Sequence, residues 1–267
     1  MNRPKAVILR TAGTNCDWET CYAFEVAGAK AEAVHVNRLI KGEVRLDNYQ
    51  IMAIPGGFSY GDDIASGKIL ANELKYKLGD SIKKFAKSGN PVIGICNGFQ
   101  VLVKMGLLPG NKELKQVTTL TFNDSDKFEC RWVYLTKVKT QKSKIKNEKT
   151  KCLWVKNLPE IIQLPVAHGE GKFVASDKDI LKELKTNNQI VFIYSGQDGK
   201  PAGYPFNPNG AVENIAGICN DKGNVFGLMP HPERFIWKWQ HPSRQGIENE
   251  FGWGLQIFKN AVEYCRR

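Results

Sequence analysis

No apolar run in this chain approaches the roughly 20 residues that span a bilayer, so a membrane-spanning helix is not expected. Histidine is scarce, with four in 267 residues. The seven cysteines (Cys16, Cys21, Cys96, Cys130, Cys152, Cys219 and Cys265) are odd in number and scattered, and no CxxC pair occurs among them. This argues against a disulfide framework and against a structural zinc site, and it suits reduced thiols. There is no GxxxxGK[ST] loop, so nucleotide phosphates have no Walker-type cradle here. The first residues, Met1-Asn2-Arg3-Pro4-Lys5, lead into a strand-like run rather than a signal peptide, and a cytoplasmic protein is the expectation. What is abundant is positive charge, +11 overall at pH 7. Much of it is local. Lys137, Lys139, Lys142, Lys144, Lys146, Lys149 and Lys151 stand close together, with Glu148 the only acid among them. No aromatic residue interleaves these lysines, so a stacking platform for nucleic acid is missing. A solvated loop or hairpin tip is the favoured reading, with a protein contact as the alternative.

The apolar runs alternate with helical periodicity. Lys5–Arg10, residues 31–36, 49–54 and 92–95 read as strands. Residues 17–28 read as a helix, and 64–86 as mostly helical with a break near Gly79. After about residue 115 the pattern turns antiparallel, with strands expected at 118–122, 128–139 and 152–155, then at 190–195, 215–220 and 225–229. Residues 249–267 read as a closing amphipathic helix. Strands alternating with helices imply an α/β fold, an open and mainly parallel sheet with helices on both faces and additional antiparallel strands. One domain over 1–267 is expected. In such sheets active sites gather beyond the carboxyl ends of the strands.

Three segments fall at strand ends. Gly94-Ile95-Cys96-Asn97-Gly98-Phe99-Gln100 joins a buried strand to a helix, and its glycines permit a sharp turn around an exposed thiol. The helix start favours a thiolate. A cysteine is more often a small core residue, but the flanking glycines favour a nucleophile here. Met229-Pro230-His231-Pro232-Glu233-Arg234 supplies an imidazole and, two residues on, a carboxylate to orient it if the segment is extended. His35, His168 and His241 are competing bases. Pro55-Gly56-Gly57-Phe58 supplies a loop whose N–H groups, with that of Asn97, suit an oxyanion hole, although a plain turn fits as well. Gly61-Asp62-Asp63 has two acids pointing to opposite sides, and no metal site is expected.

Taken together, these motifs resemble the class I, triad-type glutamine amidotransferases. The Asn97-Gly98-Phe99-Gln100 variant is similar to the family of glutaminase subunits of phosphoribosylformylglycinamidine synthases. So are Gly13-Thr14-Asn15-Cys16-Asp17, residues 55–63, Pro165-Val166-Ala167-His168-Gly169-Glu170-Gly171, Asn207-Pro208-Asn209-Gly210 and residues 227–234. The likeness runs from about residue 5 to 265, and the lysine-rich stretch looks like an insertion or enlarged hairpin. The resemblance implies a flavodoxin-like sheet and a triad of Cys96, His231 and Glu233. It also implies an oxyanion hole from the amides of Gly57 and Asn97, a substrate-binding Gln100, and a His168 that shapes the site or an interface. It implies no cofactor in this chain, with ATP and magnesium on a partner synthetase subunit and a small bridging subunit between the two. The alternatives are another class I amidotransferase serving a different synthetase, a cysteine hydrolase on the same scaffold, and a non-enzymatic regulatory subunit.

Overall fold

Runs of four to six apolar residues, too short for helices, form strands buried on both faces. In the computed structural model, which describes residues 3–110, 115–139, 150–245 and 248–266, the elements follow in order. β1 (Lys5–Arg10), α1 (Asp17–Val26), β2 (Lys30–His35), α2 (Val36–Ile40), β3 (Ile51–Ile54), α3 (Lys68–Lys87), β4 (Val92–Ile95) and α4 (Asn97–Lys104) form the first half. β5 (Thr118–Thr121), β6 (Glu129–Lys137), β7 (Ile161–His168), β8 (Lys172–Ala175), α5 (Lys178–Thr186), β9 (Ile190–Ser195), β10 (Ile215–Cys219), β11 (Val225–Leu228) and α6 (Trp253–Cys265) complete it.

Nine strands make one sheet in the order β2-β1-β3-β4-β11-β10-β9-β6-β7, and β5 pairs with β8 in a small second sheet. The ladders from β2 to β11 are parallel, and those from β11 to β7 are antiparallel. β3, β4 and β11 are wholly buried, as parallel strands covered on both faces must be. The helix pairs α1–α6 and α3–α4 flank them; Phe24 and Phe258 meet edge to face at 4.9 Å between the first pair.

The antiparallel half curls back. β7 lies four strands from β11, about 19 Å in a flat sheet. Yet the Pro165 carbonyl on β7 accepts the His231 N–H, just beyond β11, at 2.8 Å. The twist of neighbouring strands, accumulated over four steps, closes the sheet over the carboxyl ends of β4 and β11.

Several expectations are corrected. Residues 152–155 are not a strand: Leu153–Val155 is a buried 3-10 turn under α6. α3 starts at Lys68 rather than 64 and runs through Gly79 unbroken. The sequence reading omitted β7, β8 and α5. Of the lysine-rich stretch, residues 140–149 lie outside the described residues; Lys139 pairs with Glu160 at 2.9 Å and Lys151 with Asp221 at 2.9 Å. No helix among the described residues is long and apolar enough to cross a membrane.

Candidate active site

The turn between β4 and α4 has no room for side chains at the positions two residues before and two after its cysteine. A Cβ on Gly98 would lie 1.8 Å from the Ile54 carbonyl oxygen, and one on Gly94 2.5 Å from the Gly98 carbonyl oxygen. Cys96 itself sits at φ 49°, ψ −107°, a conformation costing an L-residue about 1–3 kcal/mol. Hydrogen bonds hold it there. Its N–H donates to the Leu228 carbonyl at 2.8 Å, and its carbonyl accepts the N–H groups of Phe99 and Gln100 at 3.0 and 3.1 Å. The thiol thus projects at the start of α4, where the helix presents a partial positive charge.

His231 arrives from β11 with its backbone N–H fixed on β7, and the chain then makes a 3-10 turn over Pro232–Arg234. Glu233 therefore meets its neighbour through a turn rather than through an extended segment. Its Oε1 lies 2.6 Å from His231 Nδ1, and both side chains are buried. Burial alone would depress the imidazole pKa. The Glu233 carboxylate and Cys96 reverse this and hold it well above 6.5. Among the described residues His231 Nε2 has no hydrogen-bond partner, which leaves it available to a reactant. One point ties the groups together. A methyl placed on Gly56 would touch His231 Cε1 at 2.8 Å, Cys16 Sγ at 3.1 Å and Cys96 Cβ at 3.4 Å.

These side chains line a cavity of about 290 Å³ with Gly57, Gln100, Ala167, His168, Glu170 and Arg234 among its walls. Gly57, at φ +134°, is clasped by the loop after β1: a Cβ there would lie 2.7 Å from both the Asn15 nitrogen and the Gly13 oxygen. Over residues 3–265 the chain matches the family described as CobB/CobQ-like glutamine amidotransferase domain. The chain belongs to this family. It is 48% identical to the Dehalococcoides mccartyi phosphoribosylformylglycinamidine synthase subunit PurQ, over the whole of both chains. It is 37% identical to the Methanocaldococcus jannaschii subunit of the same name, over 98% of this chain and 99% of that one. Among solved structures, PurLQS from Thermotoga maritima matches with a TM-score of 0.72 and 31% identity, covering 99% of this chain and 100% of that chain.

Within this amidotransferase the other expected residues fall as follows. Gln100 borders the cavity with its carboxamide held at both ends: Nε2 donates to the Glu170 carbonyl at 2.6 Å, and Oε1 accepts from Asn97 Nδ2 at 3.0 Å. His168 is 3% exposed, so it belongs to the cavity wall rather than to an outward face. Its Nδ1 lies 3.1 Å from Asn123 Oδ1, and burial, helped by the charge of His231, pushes its pKa down to about 3. The other two competing histidines are elsewhere. His35 caps α2 through Asn37, and His241 packs on Trp132 and bonds Gln163. Asp62 is tied to the Gly67 N–H and to Asn97 Nδ2, each at 3.0 Å.

Sequence reasoning missed Cys16, Glu170 and Arg234 as cavity residues. The Arg234 guanidinium lies 3.1 Å from Cys16 Sγ and 3.0 Å from Glu19 Oε1. Ligand atoms of Cys16, His231 and Glu233 fall within 4.8 Å of one another, but His231 Nδ1 is spent on Glu233 and a guanidinium touches the thiol, which opposes a cation there. The quoted motifs containing these residues were the available signal. Their convergence depends on the curl of the sheet, which no local pattern encodes.

Proposed function

We propose that this chain is the glutaminase subunit of a phosphoribosylformylglycinamidine synthase. It hydrolyses glutamine and hands ammonia to a synthetase subunit, which uses ATP to convert formylglycinamide ribonucleotide to its amidine in purine biosynthesis. The observation that carries the reading is the strained thiol of Cys96 opposite the buried His231–Glu233 pair, in a chain akin to PurQ subunits along its full length. The PurLQS likeness supports a synthetase partner and a small third subunit. ATP and magnesium belong to the synthetase, and the complex is cytoplasmic.

Cys96 thiolate attacks the δ-carbon of glutamine. The N–H groups of Gly57 and Asn97 receive the developing oxyanion, where such donors are worth about 10²–10³-fold each. Among the described residues neither amide is committed to an internal acceptor. His231, protonated and held by Glu233, gives its proton from Nε2 to the departing amide nitrogen, and ammonia leaves behind a γ-glutamyl thioester. Neutral His231 then takes a proton from water; the hydroxide adds to the thioester, and glutamate leaves as the thiolate re-forms. His168, kept neutral, bounds the cavity without competing for that proton.

The test is ammonia release from glutamine with and without the synthetase, its nucleotides and the small subunit. Stimulation by the partners, absent in Cys96→Ser while free ammonium salts still support amidation, is expected. No release under any condition, with ammonium still used, would overturn the reading.

A further inference from the structure

Cys16 is a buried thiol that the mechanism does not use, and it stands beside the one that it does. Among the described residues three cysteines line the cavity, Cys16, Cys96 and Cys130. Two of them face each other across Gly56. The methyl position of that glycine lies 3.1 Å from Cys16 Sγ and 3.4 Å from Cys96 Cβ. Gly56 has no left-handed φ, so the backbone does not require glycine there; the space does. The missing side chain leaves an opening one methyl wide between the two residues. A disulfide sets its Cβ atoms about 3.8 Å apart, and this opening is where the two sulfurs can meet. The Cys16 backbone is tied to the same loop, its N–H donating to the Gly56 carbonyl at 3.3 Å. Cys130 is placed differently. It lies on β6 opposite Ala167 of β7, and Cys96 Sγ faces the Ala167 carbonyl at 3.7 Å, so a strand stands between those two.

The chemistry suits Cys16 and Cys96 as a pair. Cys96 is the reactive member, at the start of α4 and opposite His231. Burial pushes the Cys16 thiol up to about 11, and His231 and Arg234 offset only part of this, so Cys16 leaves the substrate to Cys96. Its sulfur is held in place, donating to Asn15 Oδ1 at 3.2 Å and accepting from the Arg234 guanidinium at 3.1 Å. A thiolate in a cavity that admits small polar molecules is open to peroxides. We propose that Cys16 and Cys96 form a reversible disulfide modification site, in which Cys16 resolves Cys96 after a peroxide has oxidised it. In the first step the Cys96 sulfur attacks one peroxide oxygen and the O–O bond breaks. The sulfur, oxidised by two electrons, becomes a sulfenic acid, and the other oxygen leaves as hydroxide, which the His231 imidazolium protonates to water. In the second step the Cys16 sulfur attacks the Cys96 sulfur. The S–S bond forms, the S–O bond breaks, and the departing hydroxide takes up the Cys16 thiol proton, by way of neutral His231, as water. A dithiol reverses the bond by exchange and returns both cysteines to thiols. The thiolate is that of the glutaminase reading above; the disulfide goes beyond it.

The test treats the assembled complex with hydrogen peroxide, caps the remaining thiols with iodoacetamide and maps peptides without reduction. One new cross-linked pair is expected, the Cys16 peptide with the Cys96 peptide, lighter by two hydrogen atoms than the two apart. After dithiothreitol the wild type should regain nearly all of its own untreated rate of ammonia release. In Cys16→Ser the Cys96 sulfur should pass on to the sulfinic and sulfonic acids, which thiols do not reverse, and less than about a tenth of that variant's own untreated rate should return. Cys130→Ser should cross-link as the wild type does. A Cys96–Cys130 pair, a wild type that stays reduced or over-oxidises with no cross-link, or equal recovery in Cys16→Ser would overturn the assignment. Should Cys16→Ser fail to fold, the wild-type peptide map decides alone. Absence of ammonia release by the untreated wild type would instead strike the glutaminase reading, on which the mass of the cross-linked pair does not depend.

Discussion

The two halves of the sheet meet at one cavity but are built on different terms. The parallel half is made of contacts that admit no extra atom, at Gly56, Gly94 and Gly98, and it presents a strained cysteine. The antiparallel half is a curved wall, with β7 alternating half-buried and buried residues along its length. Each half contributes a buried histidine, and the two are set in opposite senses. His231 keeps its proton because Glu233 and Cys96 outweigh burial. His168 refuses one because its partners are neutral amides and burial dominates. The difference teaches that burial does not by itself decide what a histidine does. The charge of its nearest neighbour does.

Breaking the parallel half should cost most. His231→Ala should lower partner-stimulated ammonia release by about 10⁴-fold or more, the scale of losing one member of a catalytic unit, with ammonium-dependent amidation intact. Gly98→Ala should lose about 3 kcal/mol or fail to fold, since its methyl meets backbone at 1.8 Å and overpacking of this kind is costly. Gly203→Ala, in the loop beyond β9 with nothing among the described residues within 4 Å of the added carbon, should be nearly neutral when both variants are compared by urea titration. Glu233→Gln should cost roughly 10²–10³-fold in turnover and should lower the His231 pKa. The sign follows from linkage. A raised folded-state pKa gives stability that is fully present below pH 6.5 and fades as pH rises through the folded value; the variant should lack this dependence.

His168→Gln should do least at pH 7. In the wild type, the unfolded chain takes up a proton near pH 6.5, whereas the folded one does so only at about 3. Stability is therefore lost as pH falls, by about 1.5 kcal/mol between pH 6.5 and 5.0. The variant should be spared that loss in urea titrations at the two pH values. An equal loss in both proteins would show that His168 is not held neutral.

The parallel half was legible because β3 and β4 are short, wholly buried apolar runs that end in Gly56-Gly57 and Cys96. The antiparallel half was less so. Pro165 interrupts β7, and only an edge strand, paired on one side with β6, tolerates it. The alternation of Ile162, Leu164, Val166 and His168, all buried, was a usable signal. Asp177, whose side chain caps α5 through the Ile180 N–H at 2.9 Å, was another. Cys152–Val155 misled because a buried apolar turn and a strand look alike over four residues. Cys96, His231 and Gly57 converge as strand-end logic implied, and Gln100, expected from the family resemblance, lines the same cavity. Glu233 reaches His231 through a turn that the two-residue spacing did not suggest. Cys16, Glu170 and Arg234 needed the tertiary curl to be seen.

That curl has a consequence for how the molecule is made. The thiol of Cys96 faces the Ala167 carbonyl at 3.7 Å across 71 residues of chain, and the backbone of His231 is pinned to the same distant strand. Contacts of such long sequence separation form late, after the entropy of closing the intervening loops has been overcome. A nascent chain, or a fragment ending before β11, therefore carries the nucleophile without its base. Ammonia release switches on only when folding is complete.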